Sequence, residues 1–235
     1  MKLGIMQPYI FPYLGYWQLL NAVDEYILLD DVTFIKQGYI NRNSMLAQGK
    51  ATPFNIQVKD ISSNKLISEH KMNDDPRWRK KLIKSIRQNY SKAPQFSEVM
   101  PMLENCILDN TSNLNKFLFN AILRVAEYIG INTKIHLSSK LNLAETQSGQ
   151  DRIISICKEL GAREYYNAIG GKALYRAEAF CEAGVDLFFV DSQIVEYKQH
   201  EHAFVPNLSI IDLLMFNDLS AVDKHLGSFN LVSND

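Results

Sequence analysis

The feature that most constrains this fold is the alternation of short apolar runs with segments of helical spacing. KLGIM (2–6) and EYILL (25–29) are apolar runs, and residues 12–22 between them place apolar side chains at helical spacing. A strand, a helix and a strand in this order form a βαβ unit, which requires parallel pairing and a right-handed crossover. The lack of polar alternation within the runs predicts strands that are covered on both faces.

The same alternation continues along the chain. Further strands are predicted at 52–58, at 133–137, at the start of REYYNAIGG (163–171) and at 185–190. Further helices are predicted after Asp75–Pro76, over 93–108, from Thr111 or Ser112 to Gly130, over 146–160, over 175–184 and from Ser209. These elements predict an α/β fold with a mainly parallel, Rossmann-like sheet flanked by helices. We expect a single domain over 1–235, with 71–130 as a helical insertion or cap.

Composition excludes several classes of protein. The chain is 46% hydrophobic and 22% charged with a net charge of −1, which argues against general nucleic-acid binding. Its three cysteines, Cys106, Cys157 and Cys181, are widely spaced and indicate reduced thiols instead of a disulfide framework. No signal peptide is visible, and no stretch approaches the ~18 apolar residues of a membrane span. We therefore expect a soluble, cytoplasmic protein.

The segment MQPYIFPYLGY (6–16) is crowded with aromatic residues and prolines. Connections between strands and helices are ordinarily short and polar, so this one either plugs the end of a core or forms a wall against which a ligand binds. Prolines fix the backbone and would present the rings rigidly. We interpret the segment as a wall and expect Gln7, Tyr9 and Phe11 to touch substrate. The helical spacing of Tyr16 leaves a core position open for that residue.

Ligands of open parallel sheets gather beyond the carboxyl ends of the strands. The first predicted strand ends at Gln7, the second at Asp30 and Asp31, and a later one at Gly170 and Gly171. If these strands are neighbours, an amide, two carboxylates and a glycine loop converge on one rim. The backbone amides of the glycine loop could receive a phosphate, although a plain turn also explains the glycines.

Asp30 and Asp31 are consecutive, so their side chains point to opposite faces if the strand extends through them. At most one of them is then expected to face a given pocket. Such a carboxylate could act as a general base, bind sugar hydroxyls or hold a cation. The alternative is that one caps the following turn and the other is solvated.

The segment FIKQGYINRNSM (34–45) contains Lys36, Asn41, Arg42 and Asn43. Arginine and lysine supply donors for phosphate or carboxylate groups, and asparagine supplies both a donor and an acceptor. The alternative is a solvated loop with an asparagine-stabilised turn.

A second dense patch of polar and aromatic residues is EYKQHEHAFVPNLSIID (196–212), in which Tyr197 and Gln199 precede a helix N-terminus. His200 and His202 suggest a metal pair, but no third ligand of matching spacing accompanies them, and we predict no metal site.

The motifs resemble those of the WbqC-like protein family. Three segments match that family. They are the opening, which runs from MQPYIFPYLGY through DDVTF to NRN; the segment NAIGGKALY; and the tail, which contains Tyr-x-Gln and LSIIDLL. The resemblance spans essentially the whole chain. Many members have histidine where this chain has Met6, so no histidine-based role is carried over. The residues that fall on family motifs are Gln7, Tyr9, Pro12, Tyr16, Asp30, Asp31, Lys36, Asn41, Arg42, Asn43, Gly170, Gly171, Tyr175, Tyr197, Gln199 and Asp212.

This resemblance implies a role in bacterial surface-polysaccharide (O-antigen, lipopolysaccharide) biosynthesis. The leading hypothesis is an acyl or aminoacyl transferase, glycyl in one version, that acts on the amine of a nucleotide-linked amino sugar. No cofactor is firmly predicted beyond an acyl or aminoacyl donor, and the use of ATP with Mg²⁺ stays open. The expected partner is the nucleotide sugar, and a homodimer is allowed.

Each candidate residue then has an expected role. The predicted catalytic residues are Gln7, Asp30, Asp31 and Tyr197. The predicted substrate-binding residues are Tyr9, Phe11, Tyr16, Lys36, Asn41, Arg42, Asn43, Gly170, Gly171, Tyr175 and Gln199. Asp30 or Asp31 would deprotonate the sugar ammonium, since only the free amine attacks a carbonyl. Tyr197 or Gln199 would support the tetrahedral oxyanion.

Two other functions compete with this hypothesis. One is an ATP-dependent adenylating or nucleotidyl-transfer enzyme, because the first strand, helix and acid-tipped strand loosely resemble ligases such as pantothenate synthetase; this is an analogy of fold alone. The other is a non-catalytic carbohydrate-binding module with an aromatic-lined groove.

Overall fold

A computed structural model describes residues 1–143, 149–201 and 203–233. The chain opens with the elements β1 (Lys2–Met6), α1 (Leu14–Asn21) and β2 (Glu25–Leu28). β1 and β2 pair in parallel, with Leu3 opposite Glu25 and Met6 opposite Leu28. The βαβ unit predicted from the two apolar runs is therefore confirmed.

An antiparallel hairpin follows, made of β3 (Arg42–Ala47) and β4 (Lys50–Asn55). Sequence analysis placed a strand at 52–58 but treated the segment of β3 as irregular. The hairpin turns through Gln48 and Gly49, both of which have positive φ, at 50° and 72°. Two such residues in a row produce the tight turn whose twist matches that of paired strands.

Three helices come next, α2 (Arg77–Tyr90), α3 (Phe96–Ile107) and α4 (Leu114–Tyr128). The Asp75 carboxylate accepts a hydrogen bond from the Arg77 amide, as expected of an acceptor at this helix start. The cap of α4 is Asn113, whose Oδ1 accepts from the Lys116 amide at 2.9 Å. The predicted cap, Thr111 or Ser112, was wrong by one or two residues, because the chain stays extended until Asn113.

The second half of the sheet is built from β5 (Lys134–Leu137), α5 (Gly149–Glu159), β6 (Glu164–Ala168), α6 (Ala177–Glu182) and β7 (Asp186–Ser192). These elements match the predicted ones within a few residues, although positions 146–148 of the predicted fifth helix lie outside the described residues. The strands β5, β2, β1, β6 and β7 are neighbours in that order and all pair in parallel.

The chain then forms α7 (Ile210–Phe216), α8 (Leu219–Leu226) and β8 (Phe229–Ser233), and β8 pairs antiparallel with β7 at the edge of the sheet. Ser209 caps α7 as predicted, with its Oγ accepting from the Ile211 amide. Sequence analysis did not identify α8 or β8. The fold class is confirmed: a six-stranded, mainly parallel sheet flanked by helices.

The sheet has a hydrophobic cluster on each face, which explains why its strands are apolar without alternation. Leu3 and Ile5 of β1 pack in one cluster with α5 and α6. On the other face, Gly4 leaves room for the Tyr26 ring, which an added Cβ would approach to 2.7 Å. The larger cluster contains buried residues of α1, α2, α3, α4 and α7. Among the described residues, no helix has the length and apolar character needed to cross a membrane.

Candidate functional site

A cavity of about 410 Å³ lies where β1, β6 and β7 end. We call it the tyrosine chamber; the residues that define it are Gln7, Tyr9, Tyr13, Asn167, Gly170, Gly171 and Tyr175. The expectation that the ends of the first strand and the glycine-loop strand meet at one rim is thus met, because β1 and β6 are direct neighbours.

A second cavity of about 520 Å³ adjoins the first one. We call it the arginine chamber; its lining includes Asp31 and Thr33, which follow β2, and Gln150 and Arg152 of α5. The two chambers share four lining residues, Leu29, Ile153, Leu174 and Tyr175. Together they form a two-part cleft along the carboxyl edge of the sheet, where ligands of open parallel sheets bind.

Gln7 sits at the end of β1 and borders the tyrosine chamber. Its Oε1 atom is buried and has no hydrogen-bond partner in the described part of the chain. A buried acceptor of this kind is normally satisfied by a donor from protein, water or ligand. Met6, also in the wall, carries only a thioether, so it supplies no proton-transfer group at this position.

Tyrosine rings cluster beside Gln7. Tyr9 lies 5.6 Å from Tyr16 and 5.9 Å from Tyr39 between ring centroids, and Tyr13 lies 6.5 Å from Tyr39. Burial raises the pKa of Tyr9 to about 12 and also raises the pKa of Tyr13. Both phenols are therefore neutral at physiological pH, where they offer a ring face and a hydroxyl that donates and accepts.

The glycine loop is a short 3-10 helix, Ile169–Leu174, that forms one side of the tyrosine chamber. A Cβ at Gly171 would lie 2.5 Å from Asn167 Nδ2, so this glycine allows the loop to fold against that side chain. The helix that follows begins at Ala177, two residues later than predicted. The loop therefore faces the cleft with its own backbone and not with the start of an α-helix.

Asp31 and Arg152 form an ion pair in the arginine chamber. The other Asp31 oxygen accepts from the Ser138 hydroxyl at 2.5 Å. Arg152 keeps a buried Nε without a partner among the described residues. Sequence analysis missed Arg152, because it is a single basic residue on an amphipathic helix and no local motif marks it.

Asp30, in contrast, is fully buried and faces away from the cleft. Its carboxylate accepts from Asn115 Nδ2 at 2.6 Å, from the Ser139 hydroxyl at 2.7 Å and from the Ser139 amide at 2.9 Å. Only one of the two aspartates lines a chamber, as expected. They do not occupy opposite faces of a strand, because β2 ends at Leu28 and Ser138 Oγ lies within hydrogen-bond distance of both carboxylates. The geometry does not suit the base role proposed for Asp30, since the residue is fully buried and lines neither chamber.

Phe11 and Tyr16 are core residues in the structure, with exposures of 1% and 0%. Phe11 has a positive φ of 42°, and its carbonyl accepts from Asn43 Nδ2 and Ser209 Oγ, both at 2.8 Å. This turn directs the ring inward. The Tyr16 hydroxyl donates to the Gln7 carbonyl. The expectation that these two rings stack on a sugar does not fit their burial.

The polar residues of 34–45 hold the chain's own loops. Asn41 Nδ2 donates to the Ile56 carbonyl at 3.3 Å, and Arg42 Nε donates to the Gly38 carbonyl at 3.1 Å. Lys36 is exposed and lines neither chamber. The structure therefore does not gather Lys36, Asn41, Arg42 and Asn43 into the expected phosphate site; the three besides Lys36 are engaged with backbone.

Tyr197 and Gln199 surround a buried carboxylate, Asp212, to which they donate at 2.8 and 2.6 Å. The Tyr90 hydroxyl donates to the same carboxylate at 2.9 Å. Burial raises the pKa of Asp212, and the hydrogen bonds oppose that effect. The expected oxyanion role does not suit Tyr197 or Gln199, because their donors already serve a permanent charge.

The histidine pair of the tail divides between described and undescribed residues. His200 Nε2 contacts the Asn89 carbonyl at 3.2 Å and its ring packs on Phe216. His202 lies outside the described residues. Within those ranges, no group of three histidine, cysteine, aspartate or glutamate side chains is arranged to hold a metal ion.

Comparisons with known proteins agree with the sequence motifs. The model of the WbqC-like protein family matches residues 7–224. A similar protein is "Uncharacterized protein Rv1507c" of Mycobacterium tuberculosis (strain ATCC 25618 / H37Rv), which is 30% identical over 220 residues, covering 91% of this chain and 92% of that protein. No solved structure matches. The chain belongs to the WbqC-like protein family.

Proposed function

We propose that this protein is a transferase that joins an acyl or aminoacyl group to the amine of a nucleotide-linked amino sugar. The observation that carries the proposal is the two-part cleft, with chambers of about 410 and 520 Å³ that share the wall formed by Leu29, Ile153, Leu174 and Tyr175. A transfer reaction needs two substrates held side by side, and adjoining chambers hold their reacting ends in one place.

The tyrosine chamber is assigned to the nucleotide sugar. Sugar rings pack well on aromatic faces, which Tyr9 and Tyr13 supply, and their hydroxyls need amide partners such as Gln7. The unpartnered Gln7 Oε1 would accept a hydrogen bond from a sugar hydroxyl. The diphosphate would lie along the backbone of Gly170 and Gly171, where no Cβ limits its approach.

The arginine chamber is assigned to the acyl or aminoacyl donor, with Asp31 in its wall, two residues after the shared Leu29. Asp31 takes one proton from the sugar ammonium, and the freed amine attacks the donor carbonyl carbon. A C–N bond forms, the carbonyl π electrons move to oxygen, and their return expels the leaving group; the second amine proton passes to solvent. Arg152 pairs with Asp31, and its buried Nε has no hydrogen-bond partner among the described residues.

We assign the reaction to bacterial surface-polysaccharide synthesis in the cytoplasm, consistent with family membership and with three cysteines that are all free thiols.

The test is a thermal-shift screen of the protein with nucleotide amino sugars, followed by mass spectrometry of reactions supplied with activated acyl and aminoacyl donors. The expected result is stabilisation by a nucleotide sugar and a product heavier by one acyl group. Asp31→Asn should abolish product while leaving sugar binding. Lys36→Ala, at an exposed residue that lines neither chamber, is the control and should behave as wild type.

The competing functions give other outcomes in the same assays. Stabilisation by ATP with Mg²⁺ and by no nucleotide sugar would indicate adenylating chemistry. Sugar binding without turnover, unchanged by Asp31→Asn, would indicate a carbohydrate-binding module. Either outcome would contradict the transferase proposal.

A further inference from the structure

Helix α2 carries an unusual concentration of positive charge. It contains six basic residues and no acidic one, although the whole chain has a net charge of −1. The remaining residues therefore have a net charge of −7. Charge segregation on this scale within a nearly neutral chain creates a local positive field on one surface.

Half of these basic residues are engaged within the protein. Arg77 pairs with Asp75, and Arg87 pairs with Glu104. Arg79 is buried, and its guanidinium donates to the carbonyls of Ile107 and Asp109, both at 3.0 Å. These arginines fix the helix in place and leave the outward charge to other residues.

The other three are Lys80, Lys81 and Lys84, which are exposed and have no ion-pair partner in the described ranges. Lys84 lies three residues after Lys81 and four after Lys80, so it neighbours both of them on the surface of α2. We call this surface the lysine face. It is strongly hydrated and unneutralised, so its charge is available to an outside partner.

An apolar depression lies within the lysine face. It is a shallow, open groove of about 620 Å³ lined by Ile83 and Leu108 and bordered by Lys80, Lys84 and Arg87. Leu108 is 49% exposed, which is unusual for a leucine at the end of a packed helix. The surface thus combines mobile cations with a small exposed apolar centre.

We infer that the lysine face docks on the anionic surface of a lipid bilayer. Lipid phosphates form a planar array of negative charge, and each lysine near such a surface strengthens binding by about five-fold. The groove of Ile83 and Leu108 would meet the boundary between headgroups and acyl chains. Because the apolar side of α2, with Leu82 and Ile86, is buried in the core, the helix stays on the surface of the bilayer.

The surface suits a bilayer better than nucleic acid. Single-stranded nucleic acids bind to grooves where bases stack on exposed aromatic rings. In the described part of the chain, the aromatic ring with high exposure is Tyr39 at 53%, and it contacts Tyr9 and Tyr13 at the tyrosine chamber, not α2. The proposal does not depend on the proposed reaction.

The experiment measures sedimentation of the full chain with vesicles of phosphatidylcholine alone or of phosphatidylcholine mixed with phosphatidylglycerol. The expected result is binding to the mixed vesicles only, weakening as salt is raised. Lys80→Gln/Lys84→Gln should weaken this binding by about 25-fold or more, since two lysines are neutralised. The matched control is Lys158→Gln/Lys224→Gln, which removes two exposed lysines of α5 and α8 and should bind as wild type.

The proposal is overturned if the protein binds neither vesicle, binds both equally, or loses binding as much in the control. Stronger binding to a short duplex DNA or to single-stranded RNA than to the mixed vesicles, lost in the α2 variant, would assign the face to nucleic acid instead. Both substitutions are at exposed positions, and a thermal melt superimposing on wild type excludes unfolding as the cause.

Discussion

Two clusters of tyrosine side chains adjoin a cavity of about 40 Å³ bordered by Tyr13 and Tyr197, yet they differ in one respect. In the Asp212 cluster, the hydroxyls of Tyr90 and Tyr197 both donate to one buried carboxylate. In the tyrosine chamber, the rings border open space and Gln7 Oε1 has no donor among the residues that the structure describes. A cluster whose donors and acceptors match belongs to the fold, whereas an unmatched one is available to a ligand.

The largest effect on stability is expected from removing the Asp212 carboxylate, which lies at the centre of the Asp212 cluster. Asp212→Ala leaves three buried donors without an acceptor, so we expect a loss of about 3–5 kcal/mol in the free energy of unfolding. Urea denaturation followed by circular dichroism measures it. Asp186→Ala, at an exposed position, is the control and should stay within about 0.5 kcal/mol of wild type. A small loss in Asp212→Ala would break the comparison.

Asp30 and Asp31 are neighbours in sequence but belong to different kinds of site. Asp30 is buried among its own hydrogen-bond donors, whereas Asp31 lines the arginine chamber. Asp30→Asn replaces a carboxylate oxygen, which accepts from Asn115 and Ser139, with an amide NH₂ group that cannot accept. We expect this change to lower the free energy of unfolding by about 2–3 kcal/mol. Asp31→Asn should change stability by about 1 kcal/mol or less, because its side chain is partly exposed, and should abolish turnover. Chemical denaturation and the product assay on both variants decide this. Wild-type stability with loss of activity in Asp30→Asn would reverse the assignment.

The pH dependence of stability should also reveal the buried carboxylate of the Asp212 cluster. Because the folded-state pKa of Asp212 is raised, the folded protein binds its proton more tightly than the unfolded chain does. The stabilisation is therefore complete below the unfolded pKa of about 3.9. It is lost as pH rises through the raised folded pKa. The free energy of unfolding is measured at a series of pH values for wild type and for Asp212→Asn. The wild-type value minus the variant value should fall as pH rises from the unfolded pKa through the folded pKa, and then stay level. A rise in this difference would contradict the raised pKa of Asp212.

The smallest effects are expected from removing a single tyrosine hydroxyl, either from Tyr16 in the core or from Tyr9 in the tyrosine chamber. Tyr16→Phe removes the buried hydrogen bond to the Gln7 carbonyl and should cost about 1 kcal/mol of stability. Tyr9→Phe should leave the melting curve nearly unchanged and weaken nucleotide-sugar binding by about 5-fold, the value of one neutral hydrogen bond. Titration calorimetry measures nucleotide-sugar affinity in both variants. A loss of affinity in Tyr16→Phe and not in Tyr9→Phe would contradict this assignment.

Much of the architecture was predictable because it depends on local patterns. Apolar runs such as KLGIM and EYILL identified the central strands, and glycines and caps such as Ser209 identified helix ends. The hairpin strand β3 and the terminal strand β8 escaped because their exposed polar positions break the apolar runs. Their strand character comes from pairing with β4 and β7, which are tertiary partners.

The candidate site was only partly predictable. Adjacency in sequence placed Gln7, Tyr9 and the glycine loop at strand ends, and these residues do line one chamber. Helical spacing left a core position open for Tyr16, but no local signal identified Phe11 as a core residue; its positive φ and its burial appear only in the structure. Arg152 joins the site from more than a hundred residues away through the crossover that follows β5.

The sequence by itself determined the class of fold and which polar residues follow the strand ends, since both depend on local periodicity. Only the tertiary structure decided which polar groups are already satisfied. Tyr197, Gln199 and Asn43 have the chemistry of ligand-binding residues, but the packed chain supplies their partners. Burial and partner geometry are properties of the whole fold, and no stretch of sequence contains them.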